Sequence, residues 1–188
     1  MKYIVLIIYL ISFNIFTEEN HNHHHDDHNE HNDKDQIKAK SHKAHEHGLS
    51  ILNIVQDKDA ISFEFEMPGF DVVGFEYKAK KKEDIKKVKK ALNILSEYEN
   101  MVTLPNSGSC NQEKSSARVF YEGTHSEFVS EYKFICSNIS KVESININFF
   151  DSFKYSKKLN INLVSKNKKI SEIFDKSNNI LSVKGYFN

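Results

Sequence analysis

Nine of the ten histidines lie between His21 and His47, interleaved with Asp26, Asp27, Glu30, Asp33, Asp35 and Glu46. Imidazole and carboxylate together form a borderline donor set that suits Zn2+, with Cu2+ and Ni2+ also within its range. His21, His23, His24, His25, His28 and His31 stand close enough for several alternative chelates, and His42 follows them. Metal binding along this tract is therefore expected to be multisite and exchangeable. A solubilising polar spacer is the alternative, but histidine is an uncommon choice for that role. The run is unlike a purification tag, because it lacks six consecutive histidines and follows an apolar leader.

A second, more structured site is expected around His45 and His47. These are two residues apart, so an extended segment would point both the same way. His125 and Glu127 share that spacing on a long candidate strand. If the segment leading into the domain lies beside that strand, three imidazoles and a carboxylate could converge around one zinc ion. A strand histidine that is merely exposed is the alternative. Imidazole binds metal only when neutral, so affinity should fall as the pH drops below about 6.5.

Two other functions fit parts of the pattern. A zinc hydrolase would need an open coordination position and a nearby base, for which Glu76 or Glu127 could be cast. The chain has no HExxH, no G-x-S-x-G and no cysteine–histidine pair with an orienting partner, so no enzyme is expected. A partner-binding structural module with a pH-responsive histidine linker is the runner-up, since protonation would make the tract strongly positive between about pH 7 and pH 5.

The elements that must position these residues follow from the rest of the sequence. Lys+Arg and Asp+Glu are equal at 26 each, which gives no net field for nucleic acid. Met1 and Lys2 precede a mostly apolar run from Tyr3 to Phe16, too short to span a bilayer comfortably but suited to a signal-peptide core. Residues 1–17 are thus expected to be a signal peptide, leaving no stable membrane span after cleavage. No small-x-small triplet precedes Glu18, and an uncleaved anchor is the alternative. Either way the remainder is exported, to the periplasm of a Gram-negative bacterium. Cys110 and Cys136 agree with that compartment, where an even count favours a disulfide over metal binding. Such a bridge would contribute about 3 kcal/mol in the chain-entropy model.

Residues 18–44 contain one large aliphatic residue, Ile37, and cannot bury enough surface to offset ordering entropy. They are expected to be disordered. The folded domain spans 45–188. GLSILNIVQD and AISFEFEMP read as two strands joined by a turn at Asp57-Lys58-Asp59, with Ile61, Phe63, Phe65 and Met67 alternating against Ser62, Glu64 and Glu66. A third extended piece is expected from Val72 to Lys78. Residues 82–99 read as the one clear helix, with Ile85, Val88, Leu92, Leu95 and Tyr98 on one stripe and its lysines on a solvated face. Strands are further expected at 118–121, 125–136, 144–150 and 158–164, with shorter ones near 170–174 and 180–183. The fold class is α+β, a mostly antiparallel sheet with one main helix.

Several segments recur in a fixed order: HEHG (45–48), LxIV at Leu52 to Val55, MPGFDVVGFEY (67–77), the helix, SGSC (107–110), HSEF (125–128), EYKFIC (131–136) and NFFDSF (148–153). This set resembles the periplasmic ZrgA-like zinc-uptake family over nearly the whole domain, and its order is more specific than any one motif. The resemblance implies zinc acquisition alongside energised outer-membrane uptake machinery, a histidine-rich tract near the N-terminus, and components of a zinc-uptake system as partners. It implies His45, His47 and His125 as ligands, and a Cys110–Cys136 pair. One departure stands out: the family usually reads GFEH where this chain has Gly74-Phe75-Glu76-Tyr77. A phenol stays protonated near its ordinary pKa of about 10 and is a poor zinc ligand. Any site using that histidine is weakened or rearranged here. Tyr77, sharing a strand face with Phe75 and Ala79, is expected to join the core.

Overall fold

The computed structural model describes residues 46–166 and 168–187. The expected signal peptide and histidine-rich tract lie outside the described residues. Strands β1 (Leu49–Asp57) and β2 (Ala60–Pro68) form the anticipated hairpin, with Ile54 opposite Phe63 and Leu52 opposite Phe65. Lys58 takes the left-handed conformation at the turn, with φ 54°.

Here the chain departs from the sequence expectation. Instead of a third strand over 72–78, the short helix α1 (Gly69–Val73) follows β2 directly and ends on Gly74 at φ 83°. The alternation in this stretch is short, and Gly69 allows the backbone to turn into a helix where it meets its neighbour. A Cβ at Gly69 would lie 2.0 Å from Ser126 Oγ and 2.8 Å from the Phe75 carbonyl, so α1 packs closer than any other residue permits.

Helix α2 (Lys82–Ser96) places Glu83 and Asp84 in its first turn, where the helix dipole favours acids. Its buried stripe is Val88, Ala91 and Leu95, joined by Asp84; Ile85, expected inward, is 38% exposed. The helix stops before residue 99. Asn100 Nδ2 then donates to the Ile94 carbonyl at 3.0 Å, satisfying one of the carbonyls left open at the helix end.

The strand expected only at 118–121 is much longer. Strands β4 (Cys110–Glu122) and β5 (His125–Cys136) pair along their whole length, with one bulge between Gln112 and Lys114, and turn at Gly123 with φ 58°. Polar residues of β4 carry no apolar periodicity and so concealed it. The expected strand 144–150 is β6 (Ser144–Ile147) followed by the helix α3 (Phe149–Ser152). Strands β3 (Val102–Thr103), β7 (Lys158–Val164), β8 (Lys169–Phe174) and β9 (Ile180–Ser182) complete the set.

These strands form a six-stranded sheet in the order β4-β5-β2-β1-β7-β8 and a three-stranded sheet in the order β3-β6-β9. Pairing is antiparallel except between β1 and β7. The α+β, mostly antiparallel expectation therefore holds. One face of the large sheet presents Leu52, Ile54, Ile61, Phe63, Phe65, Met67, Phe128, Tyr132 and Phe134, all buried. They share one core with α2, α3 and the small sheet. Phe65 stacks on Phe149 of α3 at 5.8 Å, and Tyr132 Oη donates to the Leu95 carbonyl of α2 at 2.5 Å. Full burial of each such side chain stabilises by about 1.5–3 kcal/mol. The opposite face carries a polar ladder in which Ser171 bonds Asn162, Asn162 bonds Asn53 and Asn53 bonds Glu66. The Cys110–Cys136 disulfide, implied by resemblance and favoured by compartment, is present and joins register partners of β4 and β5.

Among the described residues no helix is long and apolar enough to cross a membrane.

Candidate metal centre

Three segments far apart in sequence meet at one corner of the large sheet. The first is the turn before β1, closed by the Leu49 amide donating to the Glu46 carbonyl at 3.1 Å. It carries His47, whose ring lies parallel to Phe70 of α1 at 4.8 Å and 13°. The second is the irregular chain after α1, which carries Glu76. The third is the start of β5, which carries His125 immediately after the β4–β5 turn. The close approach of Gly69 to Ser126 brings the second and third together.

Glu76 is the hub. Its Oε1 stands 3.0 Å from His47 Nε2, and its Oε2 stands 2.5 Å from His125 Nδ1. The carboxylate is 12% exposed, whereas the imidazoles are 54% and 64% exposed. A shielded anion thus sits beneath two solvent-facing rings. Glu76 Oε1 is buried and has no hydrogen bond in line among the described residues, despite the proximity of His47. An under-satisfied carboxylate oxygen facing imidazole nitrogen is the chemistry a cation would complete.

The donor set fits zinc. Two imidazoles and a carboxylate supply three of the four positions of a tetrahedral shell. Ligand atoms around such an ion, with bonds near 2.0–2.1 Å, stand about 3.3 Å apart. The separations seen here fall short of that by well under an ångström at His47 and somewhat more at His125. Among the described residues no three His, Cys, Asp or Glu side chains already surround a common position, because Glu76 links the two histidines pairwise, one on each oxygen.

Of the residues singled out from the sequence, His47 and His125 are brought to one place, each against Glu76. His45, His21, His23, His24, His25, His28, His31 and His42 lie outside the described residues. Glu127 sits in β5 on the same strand face as His125, 7% exposed, between Pro68 of β2 and Phe120 of β4 in register. The carboxylate that meets both imidazoles is Glu76, which sequence reasoning considered only as a base. The signal for it was its place directly after the GF step of the GFEY segment, beside the position of the family histidine.

Tyr77 does not join the core. It is 52% exposed, stacks on Phe75 at 4.6 Å and donates to Asp84 Oδ2 at 3.0 Å. That hydrogen bond raises its phenol pKa above the ordinary value, making it a still poorer metal ligand. The reason is local: the chain after α1 is irregular, so the strand alternation that would have buried Tyr77 is absent.

With this geometry in view, the profile described as ZrgA family zinc uptake protein matches residues 44–183, three-quarters of the chain and all three segments of the corner. The chain belongs to the ZrgA family of zinc uptake proteins. No curated protein matches it. Membership ties the chain to zinc uptake.

Proposed function

We propose that this protein captures Zn2+ in the periplasm and buffers it or hands it on for uptake, holding one ion at His47, Glu76 and His125. The observation that carries this reading is the single shielded carboxylate of Glu76 shared by two exposed imidazoles. A closed structural zinc site buries its ligands. Here the imidazoles face solvent, which suits an ion that must arrive and leave. His45, which the resemblance implies as a ligand, would be a candidate fourth donor, and water would serve equally. The histidine-rich tract at 18–44 would raise the local zinc concentration through its many exchangeable chelates. Family membership supports zinc as the cargo. The disulfide and the apolar leader support export, since such bridges persist in oxidising compartments. Components of a zinc-uptake system are the partners this reading implies.

Zinc calorimetry on the full chain tests it. The intact protein should bind several ions, and His125→Ala should lose one of them, the tightest, while leaving the tract's ions in place. Identical stoichiometry and affinity in the two proteins would refute the domain site.

A further inference from the structure

We propose that Asp71 is a positioning residue for this site: its buried carboxylate clamps the His47–Gly48 turn and so sets where the His47 imidazole is held. The inference rests on the zinc-site reading above and deepens it. Asp71 is fully buried in α1. Its Oδ1 accepts the Gly48 amide at 2.6 Å, and its Oδ2 accepts the Ser50 hydroxyl at 2.9 Å. Ser50 Oγ in turn lies 3.3 Å from Ser156 Oγ.

The clamp acts on the peptide that follows His47. The Gly48 amide is held by Asp71, and the Gly48 carbonyl accepts the amides of Lys157 and Lys158 at 2.9 and 2.8 Å. Gly48 itself adopts φ 87°, a conformation that L side chains rarely take. With both sides of Gly48 fixed, the direction in which the chain presents His47 is fixed too. The same short helix supplies the floor for that ring, because Phe70 precedes Asp71 and stacks on His47. Glu76 follows three residues after the helix ends. One element thus sets the backbone, the ring plane and the facing carboxylate.

Burying a carboxylate is costly unless its oxygens are bonded, and both oxygens of Asp71 are bonded into the segment that carries His47. Outer groups that orient a ligand typically change metal affinity 10–100-fold when removed.

The test is zinc affinity in the full chain, read on the one ion that His125→Ala removes. Asp71→Ala should weaken that ion about 10–100-fold. Asp71→Asn should restore affinity to within a few-fold, since its amide oxygen still accepts the Gly48 N–H. In a His47→Ala background, Asp71→Ala should have no further effect, an outcome that general loosening of the fold would not produce. Unchanged affinity in Asp71→Ala, or an equal loss with His47 already absent, overturns the proposal. If the wild-type chain shows no His125-dependent ion, the zinc-site reading fails on its own. Hydrogen exchange of the Gly48 amide without metal then decides the clamp: faster exchange in Asp71→Ala but not in Asp71→Asn supports it, and equal exchange in all three overturns it.

Discussion

Glu76 Oε2 and His125 Nδ1 lie 2.5 Å apart although 49 residues separate them in sequence. Neither residue's neighbours announce the contact. It exists because α1 replaces a strand after Pro68 and because Gly69 lets that helix press against the first residues of β5. His47 reaches the same carboxylate from the turn before β1.

Glu76→Gln keeps the shape of this hub and removes its charge. The amide can still bond one imidazole, so the fold should survive with a melting temperature within a few degrees of the parent. Affinity for the domain's zinc ion should drop at least 10-fold, because a neutral amide is a poor substitute for a carboxylate at zinc. Competition against a chromophoric chelator would measure this, and an unchanged constant would remove Glu76 from the ligand set.

Gly69→Ala tests how the corner is assembled. The new methyl would fall 2.0 Å from Ser126 Oγ, which must rotate, and 2.8 Å from the Phe75 carbonyl, so the backbone of α1 or of the chain after it must shift. Overpacking of this kind costs about 1–3 kcal/mol. Urea unfolding should show that loss, together with weaker zinc binding, since the shift displaces Glu76 relative to His125. Full stability would mean that the helix and strand are not in tight contact.

Much of this arrangement was legible beforehand, and the exceptions share a cause. Strands β2 and β7 carry strict apolar alternation and β5 a partial one, so periodicity located them, and β1 was placed by the turn that joins it to β2. By contrast, β4 bears Asn111, Gln112, Glu113, Lys114, Ser115 and Ser116 on a strand that pairs with only one partner in the large sheet, so no core demand marks its residues. The stretch Val72–Lys78 alternates well enough to mimic a strand, but Gly69 and Gly74 bound a helix there, a tertiary packing effect that local pattern does not encode. His47 and His125 were found from residue type and spacing. The contact of Glu76 with both imidazoles was not foreseen, because it depends on that helix.

The Cys110–Cys136 bridge closes a separation of 26 residues. Reducing it, or replacing both cysteines with serine, should lower stability by about 3 kcal/mol in the chain-entropy model. The β4–β5 hairpin should still form through its ladder of register pairs. Equilibrium unfolding with and without reductant measures the difference, and coincident curves would show that the bridge adds nothing.

Glu131 carries an acid-sensitive part of the stability. Arg118 at 2.6 Å and Lys114 at 2.8 Å hold its carboxyl well below the usual range, from 4.5 down to about 2. A depressed folded-state pKa means the stabilisation is complete above about pH 4.5 and disappears as the pH falls towards 2. Lys114 and Arg118 are 58% and 43% exposed, so solvent screening limits the effect to about 1 kcal/mol. Glu131→Gln should therefore be less stable than the parent at pH 6 and equal to it near pH 2. The same deficit at both pH values would assign the loss to packing instead.

The central claim is that one zinc ion is held between His47, Glu76 and His125. Crystals of the zinc-loaded protein, measured on both sides of the zinc absorption edge, test it most directly. The account predicts an anomalous peak within bonding distance of His47 Nε2, His125 Nδ1 and a Glu76 oxygen, with the rings turned slightly apart. Zinc found only on other residues, with the Glu76–imidazole contacts unchanged, would contradict it.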